Sequence, residues 1–112
     1  MTVTTHDFSG TYAYVTGAGG GIGHAIASEL VRAGSNVVAF DLKADPGDFP
    51  DGPGRISYIQ GDICDLGALK ASFASFEETG LDFLVNAAGI IMWDKDGSVV
   101  DIDMSVWEKT LQ

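Results

Sequence analysis

The sequence predicts an α/β fold in which helices cover both faces of a parallel, doubly wound β-sheet. Short runs of β-branched and aromatic residues alternate with segments of helical spacing along the 112 residues. The run at 36–41 (NVVAFD) is mostly apolar without alternation, which is typical of a strand buried on both faces. Five glycines crowd into residues 16–23, between the first strand and the first helix. These observations predict the element order β-α-β-loop-β-α-β-α, with right-handed crossovers.

The first half of the chain contains two predicted strands joined by a helix. The strands cover residues 11–16 and 36–41. The helix covers residues 22–33, and Gly34 is suited to end it. Its apolar residues recur at helical spacing: Ile22, Ala25, Ile26, Leu30 and Ala33. All three prolines lie within residues 42–54, which predicts an exposed loop there.

The second half begins with another strand–helix–strand alternation. Strands are predicted at 55–61 and 81–85. A single helix from residue 66 to about residue 79 is predicted between them, with Asp65 as its N-cap and Gly80 at its end. Four apolar residues are expected to share one face of this helix: Leu66, Leu69, Phe73 and Phe76.

The composition argues against several classes of function. The chain has 16 acidic and 6 basic residues and a formal net charge of −10. It therefore offers no basic stripe to nucleic-acid phosphates, and an anionic membrane surface would repel it. Cys64 is the single cysteine, so no intrachain disulfide is possible, and with two distant histidines it makes no metal-ligand set. We expect Cys64 to pack as a small residue.

The start of the sequence, MTVTTHDFSG, lacks the basic and apolar segments of a signal peptide. No apolar run approaches the length that is needed to span a bilayer. The expectation from these two observations is a cytoplasmic protein.

The glycine cluster has a physical explanation. Between a strand and a helix, glycines allow a tight turn, let the backbone approach a pyrophosphate, and let the helix pack close to the strand. The helix N-terminus then offers unbonded N–H groups and a partial positive charge to the phosphates. His24 follows the last glycine. We expect it to be a partly exposed helix residue rather than a phosphate ligand.

Asp41 ends the second predicted strand, 18 residues beyond Gly23. A carboxylate at this place can accept hydrogen bonds from both ribose hydroxyls of an adenosine, and it would repel a 2′-phosphate. The glycine turn contains no lysine or arginine, and Lys43 is the one basic neighbour of Asp41. The sequence therefore favours NAD over NADP. The alternative is a strand-end aspartate that is only solvated.

The glycine spacing resembles that of the short-chain dehydrogenase/reductase superfamily. It fits Gly17-x-x-x-Gly21-x-Gly23, which marks the short, single-domain members of that family. It also fits a spacing with Gly20 in the middle, which marks the extended members. The segment Asn86-Ala87-Ala88-Gly89 resembles the signature that follows the fourth strand of the short members. This second motif favours the short type.

This resemblance implies a Rossmann-like doubly wound parallel sheet. The chain would provide its first β-α-β-β-α-β-α part, with four strands in the order 3-2-1-4, and residues 1–112 would form an NAD-binding domain. Asp62, followed by Ile63, matches the acidic position that contacts the adenine amino group in the family. The resemblance implies the following cofactor-binding residues: Gly17, Gly19, Gly20, Gly21, Ile22, Gly23, Asp41, Leu42, Asp62, Ile63, Asn86, Ala87, Ala88 and Gly89.

The implied activity is that of an NAD(H)-dependent oxidoreductase, with NADP a less favoured cofactor. Its substrate would be a small-molecule alcohol or carbonyl compound. The resemblance also implies a homo-oligomer, a dimer or a tetramer, for the full-length protein.

The family's catalytic Tyr-x-x-x-Lys motif is absent from this sequence. The residues four positions before its lysines are Ala39, Leu66, Ile91 and Ser105. Because family members are more than twice as long, we expect the domain to be truncated before its catalytic segment, with no catalytic residue in this chain. The fourth strand would then present an unpaired apolar edge.

Two other functions stay open at this point. The chain is a non-catalytic dinucleotide-binding module if it is complete at 112 residues, or it belongs to an extended-type nucleotide-sugar epimerase. Met92 and Trp93 follow the fourth strand and either line a substrate cleft or anchor a hydrophobic loop. A further helix is predicted to begin at Asp103 or Ser105.

Overall fold

The computed structural model describes residues 7–88, which contain one four-stranded sheet with the strand order β3-β2-β1-β4. All three neighbouring pairs are parallel, so the predicted fold class and strand order are confirmed. The strands are β1 (Tyr12–Thr16), β2 (Asn36–Asp41), β3 (Ile56–Gln60) and β4 (Phe83–Asn86). The helices are α1 (Gly21–Arg32), α2 (Leu66–Ser72) and α3 (Phe76–Thr79). Gly89, Met92, Trp93 and the helix predicted from Asp103 or Ser105 lie outside the described residues.

The register brings the carboxyl ends of all four strands to one edge of the sheet. Thr16 of β1 pairs with Phe40 of β2 on one side and with Asn86 of β4 on the other. Asp41, the last residue of β2, pairs with Gln60, the last residue of β3. Side chains and loops that follow these ends therefore converge on the edge where parallel α/β sheets bind their ligands.

One face of the sheet packs against α1 through small side chains. Ala13 and Val15 of β1 are fully buried, and they form one cluster with Ala27 and Val31 of α1. Val37 and Ala39 of β2 extend this cluster. Because these side chains are small, the helix axis can lie close to the sheet, and α1 begins directly above the end of β1.

The opposite face is organised around Tyr14, which is fully buried. Its ring stacks on Phe73 with a centroid distance of 4.0 Å and an interplanar angle of 14°, and it meets Phe76 edge-on with a centroid distance of 6.1 Å. Its hydroxyl lies 2.6 Å from the Ser72 Oγ. Burial raises the pKa of Tyr14, although the hydrogen bond to Ser72 opposes this shift. Since Tyr14 and Val15 are consecutive and face opposite helices, the sheet is covered on both sides.

The prediction of a single helix from residue 66 to about residue 79 is wrong, because the structure divides this segment into α2 and α3. The Ser72 hydroxyl donates to the Leu69 carbonyl, the group that the Phe73 N–H would bond in a continuing α-helix. The Phe73 N–H donates instead to the Lys70 carbonyl, so the chain tightens into a turn. Leu66, expected on the apolar face, is 61% exposed.

The predicted N-cap at Asp65 and the predicted end at Gly80 are both confirmed. The Asp65 carboxylate caps α2 by accepting from the Ala68 N–H at 3.2 Å, and Gly80 follows α3 as its C-cap. The bounds of β2 are as predicted, whereas β4 begins later than predicted and includes Asn86. Within residues 7–88 β4 lies at an edge of the sheet, and its Leu84 is 54% exposed.

Replacing Ser72 by alanine should lower the free energy of unfolding by about 1–3 kcal/mol, because the buried Tyr14 hydroxyl loses its partner. Adding Tyr14→Phe should recover most of this loss, since no stranded hydroxyl remains. Urea unfolding of both variants tests this, with Ser57→Ala on the exposed side of β3 as the control. Equal stability of Ser72→Ala and the unchanged protein would contradict the structural role of this hydrogen bond.

Candidate functional site

The glycine turn lies against the segment that follows β4. A Cβ atom on Gly17, whose φ is +67°, would lie 2.6 Å from the carbonyl carbon of Ala87 and from the nitrogen of Ala88. The Ala88 N–H donates to the Thr16 Oγ1 at 3.4 Å. The structure therefore brings together two motifs that are about seventy residues apart in sequence. Asn86 ends β4 beside Thr16.

Gly23 allows α1 to approach this turn. A Cβ atom on Gly23 would overlap the Gly17 carbonyl group, lying only 2.6 Å from its carbon. Any larger residue would therefore push the start of α1 away from the end of β1. This contact gives Gly23 one of the roles that the sequence predicted for the glycine cluster, the close packing of the helix on the strand.

The N-terminus of α1 is open to a ligand. Gly20 is its N-cap residue, no side chain caps the helix, and its first turn contains no acidic residue. Cβ atoms on Gly20 and Gly21 would meet nothing within 4 Å, and Ile22 is 76% exposed. The first-turn N–H groups and the positive end of the helix dipole therefore face a space that an anion can enter.

Asp41 lies against the glycine turn. Its Oδ2 accepts from the Gly19 N–H at 2.9 Å, and its Oδ1 accepts from the Lys43 N–H at 2.9 Å. A Cβ atom on Gly19 would lie 2.8 Å from the Asp41 Cγ, so this approach requires a glycine there. Each carboxylate oxygen has a second lone-pair direction. The carboxylate can therefore still accept hydrogen bonds from two hydroxyl groups of a ligand.

Two residues that the sequence analysis missed hold the segment after Asp41. The Tyr58 hydroxyl donates to the Lys43 carbonyl at 2.5 Å, and the Gln60 Nε2 donates to the Leu42 carbonyl at 3.2 Å. The predicted pairing of β2 with β3 could have identified these two residues, because the parallel register places the end of β3 beside Asp41. Leu42 itself is 68% exposed at the site.

The turn after β3 reaches the same edge. The Gly61 N–H donates to the Asp41 carbonyl at 2.9 Å, so the backbone leading to Asp62 adjoins the end of β2. Asp62 is exposed and its Oδ1 accepts from the Cys64 N–H at 2.9 Å, while Ile63 is partly buried. The expectation that Cys64 packs as a small residue is wrong, because this turn leaves it exposed.

His24 is a partly buried residue of α1, as the sequence predicted. Its ring stacks on Phe49 from the 42–54 loop, with a centroid distance of 4.4 Å and an interplanar angle of 15°. Its Nε2 is buried without a hydrogen-bond partner in the part of the chain that the structure describes. The contact attaches the loop that follows Asp41 to the first turns of α1.

Comparisons with known proteins agree with this geometry. A family model described as short chain dehydrogenase matches residues 11–112. The 2,3-dihydro-2,3-dihydroxybenzoate dehydrogenase of Escherichia coli K12 is 34% identical over 93% of this chain and 40% of its own length. The carveol dehydrogenase of Mycobacterium avium, in complex with NAD, superposes with a TM-score of 0.74 at 28% identity, over 96% of this chain and 45% of that one.

A second solved structure holds the other dinucleotide. It is described as an NAD(P)-dependent gluconate 5-dehydrogenase from Beutenbergia cavernae and has NADP bound at low occupancy. It superposes with a TM-score of 0.69 at 31% identity, over 94% of this chain and 43% of that one. The chain thus spans less than half the length of each of these relatives. With its family match, Rossmann-like sheet and glycine turn, it belongs to the short-chain dehydrogenase family.

Proposed function

We propose that the protein is an NAD(H)-dependent oxidoreductase acting on an alcohol or carbonyl compound, and that this chain provides its cofactor-binding half. The observation that carries the proposal is the contact of the Asp41 carboxylate with the Gly19 N–H at 2.9 Å. It puts a ribose-binding acid beside a phosphate-binding turn, which is the pairing that a dinucleotide requires.

Different residues of the site would bind different parts of the cofactor. The open N-terminus of α1, with Gly20 and Gly21, would hold the pyrophosphate. Asp41 would accept the hydroxyls of the adenosine ribose, and the exposed Asp62 with Ile63 would receive the adenine. The bound cofactor supplies the hydride chemistry, while the residues of this chain bind and orient it.

The preference for NAD rests on charge. A 2′-phosphate would bring negative charge toward the Asp41 carboxylate, and its oxygens could accept no hydrogen bond from it. Lys43, the basic neighbour of Asp41 in sequence, contacts the carboxylate through its backbone N–H. Of the two solved relatives, one holds NAD and the other holds NADP.

The other expectations about the full protein remain predictions. They are a small-molecule substrate, a homo-oligomer, a cytoplasmic location, and no nucleic-acid or membrane partner. In the described part of the chain, no helix has both the length and the apolar character needed to cross a bilayer. The family match does not favour the non-catalytic module or the extended-type epimerase.

The Asp41→Asn variant should bind NADH about tenfold more weakly, because a neutral amide with one acceptor oxygen replaces a charged carboxylate with two. NADPH should bind more tightly, because the repulsion of its 2′-phosphate is removed. Fluorescence titration with each cofactor measures both changes. Asp48→Asn removes the same charge from the neighbouring exposed loop and should change neither affinity. Unchanged NADH affinity in Asp41→Asn would exclude the proposed role of Asp41.

The Gly21→Ala variant should lose at least tenfold in affinity for NADH and NADPH alike, because the added methyl group enters the space assigned to the pyrophosphate. Gly10→Ala is the matched control. Gly21 and Gly10 have φ values of +58° and +79°, and each has open space at its Cβ position. Both variants should therefore lose similar stability, roughly 1 kcal/mol, which thermal unfolding measures. Wild-type cofactor affinity in Gly21→Ala would contradict a phosphate site at this turn.

A further inference from the structure

We propose that Tyr58 and Gln60 of β3 are positioning residues that set how strongly the site prefers NAD to NADP, by fixing the backbone segment that orients Asp41. The inference rests on the proposed function, because it concerns the same ribose site. It adds two residues that touch neither the glycine turn nor Asp41 through their side-chain hydrogen bonds.

The first step is the link between Lys43 and Asp41. The Lys43 N–H donates to the Asp41 Oδ1 at 2.9 Å, which closes a side-chain turn at the end of β2. The orientation of the carboxylate therefore depends on where the Leu42–Lys43 peptide, to which this N–H belongs, lies. The Gly19 N–H holds the other oxygen, Oδ2. If the Leu42–Lys43 peptide moves, Asp41 retains only one of its two backbone donors.

The second step is how β3 fixes this peptide. Tyr58 binds the Lys43 carbonyl at 2.5 Å and Gln60 binds the Leu42 carbonyl at 3.2 Å, so two consecutive carbonyls are held from one strand. Tyr58 and Gln60 are two residues apart and thus project from the same face of β3. Neither bond is part of the backbone pairing between strands, because both carbonyls lie beyond the last residue of β2.

The third step is the rigidity of the Tyr58 ring. It packs against the α1-side core, and Phe49 lies beside it with a centroid distance of 6.4 Å. A fixed ring places the hydroxyl at a defined position, so the Lys43 carbonyl is held to a defined place as well. Burial raises the pKa of Tyr58, and the negative charges of Asp41 and Asp45 raise it further. The hydroxyl therefore keeps its proton, and remains a donor, through neutral and mildly alkaline pH.

The orientation of Asp41 should affect the ratio of the affinities for NADH and NADPH. A carboxylate held by two N–H groups keeps its remaining lone pairs in fixed directions. This arrangement favours hydrogen bonds from two ribose hydroxyls, and its charge repels a phosphate in the same place. A carboxylate that is free to turn toward water loses part of both effects. Removal of the β3 contacts should therefore weaken NADH binding, whereas NADPH, which meets less repulsion, should bind as well as before or slightly more tightly. A residue that only stabilised the fold would not change this ratio.

The test measures dissociation constants of NADH and NADPH for Tyr58→Phe, Gln60→Leu and the double variant. The double variant should bind NADH about fivefold more weakly, the effect of losing hydrogen bonds of ordinary strength. NADPH affinity should stay within about twofold. Tyr12→Phe is the matched control, because it removes a hydroxyl at the start of β1, at the opposite end of the strands from the site. Thermal unfolding of each variant accompanies the titrations, and Tyr58→Phe decides alone if the double variant does not fold.

The same substitutions in the Asp41→Asn background separate the two proposals. If Tyr58 and Gln60 act through Asp41, they should leave the affinity ratio unchanged once the charge of Asp41 is removed. A wild-type ratio in Tyr58→Phe and in the double variant, with NADH still preferred, would overturn this inference alone. An equal change in ratio in both backgrounds would also overturn it. A wild-type protein without preference for NADH would refute the NAD proposal, and the inference with it.

Discussion

The close approach of α1 to the end of β1 is the constraint on which the rest of the site depends. It requires that no side chain stand between Gly23 and the Gly17 carbonyl group, and that Gly17 lie directly against Ala87. The small residues Ala13, Val15 and Ala27 in the core permit the same approach along the helix. As a result, the open N-terminus of α1 lies at the edge where all four strands end.

The second organising interaction is electrostatic and joins two loops at that edge. Asp41 accepts one backbone N–H from the glycine turn and another from Lys43, which is in turn held by Tyr58 of β3. A carboxylate with two fixed donors is oriented before any ligand arrives, so less of the binding free energy is lost in ordering it. The same contacts align the 42–54 loop with the sheet, and the stacking of Phe49 on His24 attaches that loop to α1.

The face opposite α1 follows a different principle. There a single large side chain, Tyr14, collects aromatic contacts and satisfies its hydroxyl through Ser72. The Ser72 hydroxyl also donates to the Leu69 carbonyl, which ends α2 and turns the chain before α3. A buried polar pair thus shapes the path of the backbone as well as the packing of the core.

The sequence by itself determined the parallel α/β architecture, the bounds of β2, the glycine turn and the cap at Asp65, because each depends on residues that are close together in the chain. It also located Asp41 at the end of β2. Only the tertiary structure decided the break at Ser72, the exposure of Cys64 and the bonds from Tyr58 and Gln60 to the segment after Asp41. A competing hydrogen-bond donor decides the break at Ser72 and strand register decides the bonds from β3, and neither is encoded in local hydrophobic spacing.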